Sequence, residues 1–215
     1  MRFFRFFSQT KLFANILLSR NYNYINNYRV LPSKYYSIKT IKQYYYNNNI
    51  YYDIYNDFCN ITTNEECIIK YSKYSKYNNL SAEHIFPQSF TKYYSKANKD
   101  MHNIYLTTYY TNNLRSNKKF SHSVDETLSQ KFYIPCNYSR GTIARTLAYM
   151  KFSYPLLNLS NVIDSNIILA WNELYPPTDL EFKKNNIIYI YQGNKNIFIE
   201  DHKIMTQFIN NNFNL

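Results

Sequence analysis

Apolar residues in the C-terminal half of the chain recur at helical spacing. Ile143, Leu147 and Met150 lie three or four residues apart within residues 140–152, and this period predicts a helix with one apolar face. Ser139 stands directly before the segment, and a serine in that place often caps a helix through its hydroxyl. We therefore expect a helix that begins after Ser139 and turns its apolar face to the core.

A second helix is predicted over residues 166–174. Asp164 and Ser165 precede it, and either residue type is a common N-cap. Pro176 and Pro177 follow it, and proline ends a helix because it lacks an N–H and clashes with the preceding turn. The helix is therefore expected to end before this pair.

A third helix is predicted over residues 179–191. Thr178 and Glu181 stand three residues apart at its start, which is the spacing of a capping box. Trp171 and Leu174, in the preceding helix, are large apolar residues. We expect both to lie in the core.

The middle of the chain carries shorter runs that are typical of strands. Pro87 limits any strand before it, so a strand is expected to end near His84 or Ile85. Residues 103–108 are rich in strand formers and of strand length, and residues 108–120 are compatible with a short helix. The predicted fold class is α+β, with a small strand-rich site packed against several helices.

The N-terminal part of the chain shows no periodic pattern. Residues 1–50 predict a poorly structured basic and aromatic arm, followed by one domain over residues 51–215. The arm runs into the Tyr- and Asn-rich stretch 43–56, which biased codon usage explains more simply than stacking on bases. Its first 20 residues have the composition of an organelle (mitochondrial-type) transit peptide. A degenerate secretion signal and a basic arm that contacts nucleic acid are the alternatives.

The formal charge of +11 favours a polyanionic partner, because basic side chains displace counterions from phosphates. Most of this excess lies before Asp53, where no acidic residue occurs. The rest of the chain holds 17 basic and 14 acidic residues. The eight basic residues of the N-terminal part are Arg2, Arg5, Lys11, Arg20, Arg29, Lys34, Lys39 and Lys42.

Cysteine usage and hydropathy exclude two classes of protein. The three cysteines are an odd number without a CxxC pair, which argues against a structural zinc site. A Cys59–Cys67 disulfide and three free thiols, with Cys136 the third, are both open. No apolar run reaches the length of about 18 residues that a membrane span requires.

Glu83 and His84 are the first candidates for chemistry. A carboxylate suits a hard cation such as Mg²⁺, and a histidine titrates near neutral pH and can take a proton from water. Asn112 lies in a basic segment and offers a neutral oxygen ligand, which leaves the cation more positive charge for a phosphate. An isolated Glu–His pair more often consists of two exposed polar side chains, so the pair by itself does not establish a site.

The order of several motifs changes this interpretation. Together they resemble the endonuclease I family, whose fold is the ββα-metal (His-Me finger) nuclease core. The matching blocks span about residues 80–200 in the order of the family. They are EHIFPQS at 83–89, DMHN at 100–103, NNLRSN at 112–117, Arg140-Gly141 with Ala144-Arg145, Tyr149-Met150, Trp171, Pro176-Pro177 and QGNKNIFI at 192–199.

The resemblance implies roles for the residues in these blocks. Glu83 and Asn112 match the metal ligands, and His84 matches the general base. Asp100, His102 and Asn103 match a motif of the second strand, where they would brace the finger by hydrogen bonds. Arg115 and Asn117 match positions that face the cleft, where Arg115 would contact phosphate or brace the helix.

Three departures from the family pattern are visible. Phe86 stands where the family usually has tryptophan, and both residues pack. Lys195 replaces an arginine, which removes bidentate geometry if that side chain binds phosphate. The arginine that steadies the cleaved phosphate has no clear counterpart, and Lys92, Lys96 and Lys99 are equal candidates for its place.

The resemblance implies a metal-dependent endonuclease with little sequence preference. Its cofactor would be Mg²⁺, with Mn²⁺ or Ca²⁺ as substitutes. Its substrate would be DNA, with RNA as a second class, and its product would carry a 5′-phosphate. We expect a monomer. The alternative is a nucleic-acid-binding module that keeps the fold and lacks catalysis.

Overall fold

Two two-stranded sheets, one antiparallel and one short and parallel, and a set of helices make up the described parts of the chain. The computed structural model describes residues 29–48, 50, 54–55, 80–122 and 130–213. Three short 3₁₀ turns, at Ala97–Lys99, Met101–Asn103 and Leu159–Asn161, connect longer elements. Those elements are α1 (Ile38–Asn47), β1 (Leu80–His84), α2 (Gln88–Thr91), β2 (Ile104–Thr108), α3 (Tyr109–Arg115), β3 (Lys119–Phe120), β4 (Phe132–Tyr133), α4 (Asn137–Ser153), α5 (Ser165–Leu174), α6 (Asp179–Gln192), α7 (Ile197–Glu200) and α8 (Lys203–Asn212). β1 pairs with β2, and β3 pairs with β4. The predicted α+β class is confirmed.

β1 and β2 pair in antiparallel fashion, and α3 follows β2 without a loop. The register places His84 opposite Ile104, and β1 ends at His84 because Pro87 closes the extended segment. The Thr108 side chain accepts a hydrogen bond from the Thr111 backbone and so starts α3. The predicted strands and helix of this region are confirmed. Together they form a unit of two strands and one helix.

The three predicted C-terminal helices are present, and one predicted cap is wrong. The capping box of Thr178 and Glu181 opens α6 as expected. Helix α4 begins one turn earlier than predicted, with Cys136 at its N-cap. Ser139 does not cap it, because its hydroxyl donates to the Ile54 carbonyl instead.

The core lies around α4, whose residues are buried almost throughout. Trp171 of α5 packs into this core and is 2% exposed, as predicted. Leu174 is 67% exposed, so its predicted place in the core is wrong. It is the last residue of α5, where the chain turns away toward the two prolines. No helix in the described ranges is long and apolar enough to cross a membrane.

Residues 29–48 pack on the domain, although the sequence placed them in the arm. Ile41 and Tyr45 of α1 are buried, and the Tyr44 ring stacks on Tyr191 with centroids 3.9 Å apart. The Ser33 backbone N–H donates to the Gln192 carbonyl over 2.8 Å. The predicted boundary at residue 50 is therefore too late, because two apolar side chains of one helix face already belong to the core.

Several predictions fall on residues outside the described ranges. Residues 1–28, which would carry the targeting segment, are among them, as are Cys59 and Cys67. Cys136 is a free thiol. Organelle targeting, secretion and the Cys59–Cys67 pairing stay predictions.

Candidate active site

A pocket of about 250 Å³ opens between the end of β1 and helix α3. β1 contributes Glu83 and His84, and α3 contributes Asn112 and Arg115. Asn117 lines the pocket just after α3. Five of the predicted site residues therefore meet in one cavity, although the first and last are more than thirty positions apart.

Among the described residues, the Tyr55 hydroxyl and the Arg115 guanidinium hold Glu83 at the pocket wall. Its Oε1 accepts a hydrogen bond from the Tyr55 hydroxyl at 2.8 Å and an ion pair from Arg115 Nη1 at 2.9 Å. The side chain is 2% exposed. A buried carboxylate is stable when donors and a cation compensate it, and both are present here.

His84 is oriented by the backbone. Its Nε2 lies 2.9 Å from the Asn98 carbonyl, which accepts a hydrogen bond from the neutral tautomer that carries its hydrogen on Nε2. In that tautomer Nδ1 is the ring nitrogen that can accept a proton. Burial lowers the pKa of His84, while the carbonyls of Asn98 and Ala82 oppose this. The ring is consequently neutral, and able to act as a base, at neutral pH.

The amide of Asn112 has a defined orientation. Its Nδ2 donates to Ser81 Oγ at 2.7 Å and to the Ala82 carbonyl at 3.3 Å. Because the NH₂ group is used on β1, the carbonyl oxygen of this amide is the atom that offers a ligand. The helix thus places an amide oxygen beside the carboxylate strand.

Arg115 braces the strand. It is 1% exposed, and besides Glu83 it donates to the carbonyls of His84 at 3.0 Å and Ile85 at 2.7 Å. Its guanidinium lies over the Phe120 ring, 4.5 Å from the centroid. The sequence left two roles open for Arg115, contact with phosphate and bracing of the helix. In this structure its contacts connect α3 to β1 and to the residue that follows it.

Asn103 lies behind the pocket and fixes the chain after His84. Its side chain accepts from the Phe86 N–H at 2.7 Å and donates to the Phe86 carbonyl at 3.1 Å. Phe86 is fully buried, in keeping with a packing residue. Asn103 therefore acts on the pocket through the backbone of the EHIF segment.

Asp100 is the centre of a buried network. Its Oδ2 accepts from the hydroxyls of Tyr149 at 2.8 Å and Tyr154 at 2.9 Å. Its Oδ1 accepts from the His102 N–H and from Gln192 Nε2, both at 2.9 Å. Four donors from three parts of the chain meet on this carboxylate, so Asp100 ties β2 to the helices.

The donor set in the pocket fits a hard divalent cation. Glu83 offers a carboxylate and Asn112 an amide oxygen, which are ligand types that Mg²⁺ accepts together with water. Within the described residues, no three His, Cys, Asp or Glu side chains cluster as a metal site. A cation on Glu83 would share this carboxylate with Arg115.

Comparison with known proteins identifies the family of this chain. The sequence profile of the Endonuclease I family matches residues 7–203. The chain belongs to this family. A curated relative, Endonuclease-1 of Buchnera aphidicola subsp. Acyrthosiphon pisum (strain APS), is 28% identical over 122 residues. This match covers 52% of the chain and 48% of the relative, so it spans about half the length of that protein.

The endonuclease I block at 192–199 serves the fold in this chain. Asn194 donates to the Tyr149 hydroxyl at 2.7 Å, and Asn196 caps α7. Gly193 ends α6 in the left-handed region, with φ 85°. Lys195 pairs with Glu200 at 3.2 Å and does not line the pocket. The block therefore joins Asp100 to the helical core.

Sequence reasoning missed some residues at the endonuclease I pocket. Tyr55 stands in the Tyr- and Asn-rich stretch 43–56, and no local pattern distinguishes it from its neighbours. Gln88 lines the pocket, with its amide nitrogen 3.3 Å from His84 Nε2. No lysine stands among the described residues that line the pocket. The three candidates for the phosphate-steadying residue therefore do not line it; these candidates are Lys92, Lys96 and Lys99.

The buried His102 should make stability depend on pH. Burial lowers the pKa of His102 to about 4, with Asp100 raising it and Lys184 lowering it; the Tyr149 ring packs on it at 4.5 Å. The folded state then binds fewer protons than the unfolded state between pH 6.5 and 4, so stability falls as the pH falls. The free energy of unfolding, relative to His102→Gln, should drop by about 3 kcal/mol over this window. Urea denaturation at several pH values measures this difference. If the free energy of unfolding changed with pH equally in both proteins, the prediction would be contradicted.

Proposed function

We propose that this chain is a Mg²⁺-dependent endonuclease that hydrolyses phosphodiester bonds of DNA with little sequence preference. The observation that carries the proposal is the meeting of Glu83, His84 and Asn112 in one pocket. Membership of the Endonuclease I family supports it. RNA is the second substrate class, and a monomer is the proposed working form.

His84 would act as the general base. It takes a proton from a water molecule, whose oxygen forms a bond to phosphorus while the bond from phosphorus to the 3′ oxygen breaks. The product then carries a 5′-phosphate, and the 3′ oxygen takes a proton from solvent. In the tautomer that donates from Nε2 to the Asn98 carbonyl, Nδ1 is the basic nitrogen, and this hydrogen bond would orient it before reaction.

Glu83 and Asn112 would hold the cation. A bound Mg²⁺ supplies charge stabilisation for the phosphoryl group and for the departing oxygen. Arg115 keeps the Glu83 carboxylate in place from the buried side. Because Asn112 is neutral, the site retains more positive charge than two carboxylates would leave.

The weak sequence preference follows from the kind of contact that this pocket can make. It is lined mostly by polar side chains at the end of a strand, which would suit a phosphate more than a base edge in a groove. Phosphate contacts carry no sequence information. Exposed lysines at 92, 96 and 99, in the segment after the pocket-lining residues 87–89, would add salt-sensitive attraction.

Nicking of a supercoiled plasmid by the full chain tests this proposal. We expect conversion to open-circle DNA with Mg²⁺, none with EDTA, and recovery when Mg²⁺ is restored in excess. Glu83→Gln should need more Mg²⁺ for the same rate, whereas Glu173→Gln, at an exposed position on α5, should behave like the wild type. A folded protein that binds DNA but does not cut it with Mg²⁺, Mn²⁺ or Ca²⁺ would favour the non-catalytic binding module.

A further inference from the structure

Tyr55 connects the pocket carboxylate to a separate part of the chain. Its hydroxyl donates to Glu83 Oε1 at 2.8 Å, on the same oxygen that Arg115 contacts at 2.9 Å. Tyr55 stands 28 positions before Glu83. Two donors of different origin therefore converge on one carboxylate oxygen, which restricts rotation of the carboxylate plane.

The backbone around Tyr55 is itself anchored. The Ile54 N–H donates to the Leu106 carbonyl of β2 at 2.9 Å, and the Ile54 carbonyl accepts from Ser139 in α4. The Tyr55 ring packs against Tyr133 of β4, with centroids 4.9 Å apart. The residue is held between the strand pair and the long central helix, so its hydroxyl approaches Glu83 from a defined direction.

The ring itself is 9% exposed, and its hydroxyl is a reliable donor. An ordinary phenol titrates near pH 10, so at neutral pH the hydroxyl carries its proton and donates it to Glu83 Oε1.

We propose that Tyr55 is a positioning residue that sets the orientation of Glu83 for a divalent cation. This inference rests on the proposed function, because it assumes that Glu83 is a cation ligand. A ligand carboxylate that is hydrogen-bonded from behind loses less freedom when it binds a metal, and partners of this kind influence metal affinity strongly. Arg115 supplies charge, whereas the neutral Tyr55 supplies direction without adding repulsion toward the cation.

Binding of Mn²⁺ to the full-length protein tests the role of Tyr55 without relying on activity. The electron paramagnetic resonance signal of free Mn²⁺ reports the bound fraction in a titration. Tyr55→Phe removes the hydroxyl alone, and we expect the dissociation constant for Mn²⁺ to rise about 10-fold. Tyr36→Phe is the matched control, since its hydroxyl donates to the Tyr191 carbonyl at 2.9 Å and its loss should leave Mn²⁺ binding unchanged.

Thermal melting in EDTA separates positioning from simple stabilisation. If Tyr55→Phe lowers the melting temperature but binds Mn²⁺ as the wild type does, Tyr55 is structural and the inference is overturned. If the wild type and Glu83→Gln bind Mn²⁺ alike, Glu83 is not a ligand and the proposed function fails as well. Weakened binding in Tyr55→Phe, with loss of binding in Glu83→Gln, supports both.

Discussion

Replacing His84 by alanine is expected to lower the rate of DNA cleavage by about 10²–10⁴-fold, which is the usual contribution of general-base catalysis. The loss follows from removal of the group that takes the proton from water. Glu83, Asn112 and Tyr55 are untouched, so the dissociation constant for Mn²⁺ should stay close to that of the wild type. Initial rates of plasmid nicking at saturating Mg²⁺ measure the effect.

The chain offers a matched control for this substitution. His122 is exposed and does not line the pocket, so His122→Ala should cleave at the wild-type rate. Retained binding of DNA by His84→Ala, in low salt and without metal, shows that the surface is intact. A His84→Ala protein that nicks plasmid within tenfold of the wild type would remove His84 from the role of base.

Replacing Arg145 by methionine is expected to destabilise the fold by about 3–5 kcal/mol, the cost of leaving a buried charge without its partner. Arg145 forms a two-pronged pair with Glu181, with Nε to Oε1 at 2.9 Å and Nη2 to Oε2 at 2.6 Å. Both side chains are 1% exposed. Arg145 also donates to the Tyr175 carbonyl at 2.7 Å, so the change loosens the contact between α4 and the end of α5. Urea denaturation at neutral pH measures the difference.

A second substitution distinguishes the unpaired charge from lost packing. Glu181→Gln in the Arg145→Met background removes the charge and keeps an acceptor for the capping box with Thr178, so it should restore part of the lost stability. Lys195→Met breaks the exposed pair with Glu200, and it should cost at most about 1 kcal/mol. Equal losses for the exposed and the buried pair would contradict the argument.

Local chemistry explains which elements were predictable. The capping box of Thr178 and Glu181 is closed by residues three positions apart, and Pro87 ends the extended segment of β1 wherever that strand packs. Features of this kind depend on the backbone of a single segment. The prediction of Ser139 as a cap was wrong because its hydroxyl donates to the carbonyl of Ile54, a residue far away in the sequence. No pattern within the helix segment could indicate this partner.

Some residues of the candidate site could likewise be predicted from the sequence, and others could not. Glu83 and His84 are neighbours, so the motif alone places them together, and the ordered blocks of the family indicate Asn112 as their partner. Tyr55 carries no such signal. It lies in a Tyr- and Asn-rich stretch. Only in the folded chain, where the Ile54 N–H donates to the Leu106 carbonyl of β2, does the Tyr55 hydroxyl reach Glu83.

By itself the sequence determined the α+β class, the C-terminal end of β1, the start of α6 and the family to which the chain belongs, because these depend on short-range stereochemistry and on the order of motifs rather than on packing. Only the tertiary structure decided that α1 belongs to the core, that Leu174 is exposed and that Arg115 is buried against β1. It also decided that Tyr55 meets Glu83. Each of these depends on contacts between residues far apart in the chain, whose partners no local pattern encodes.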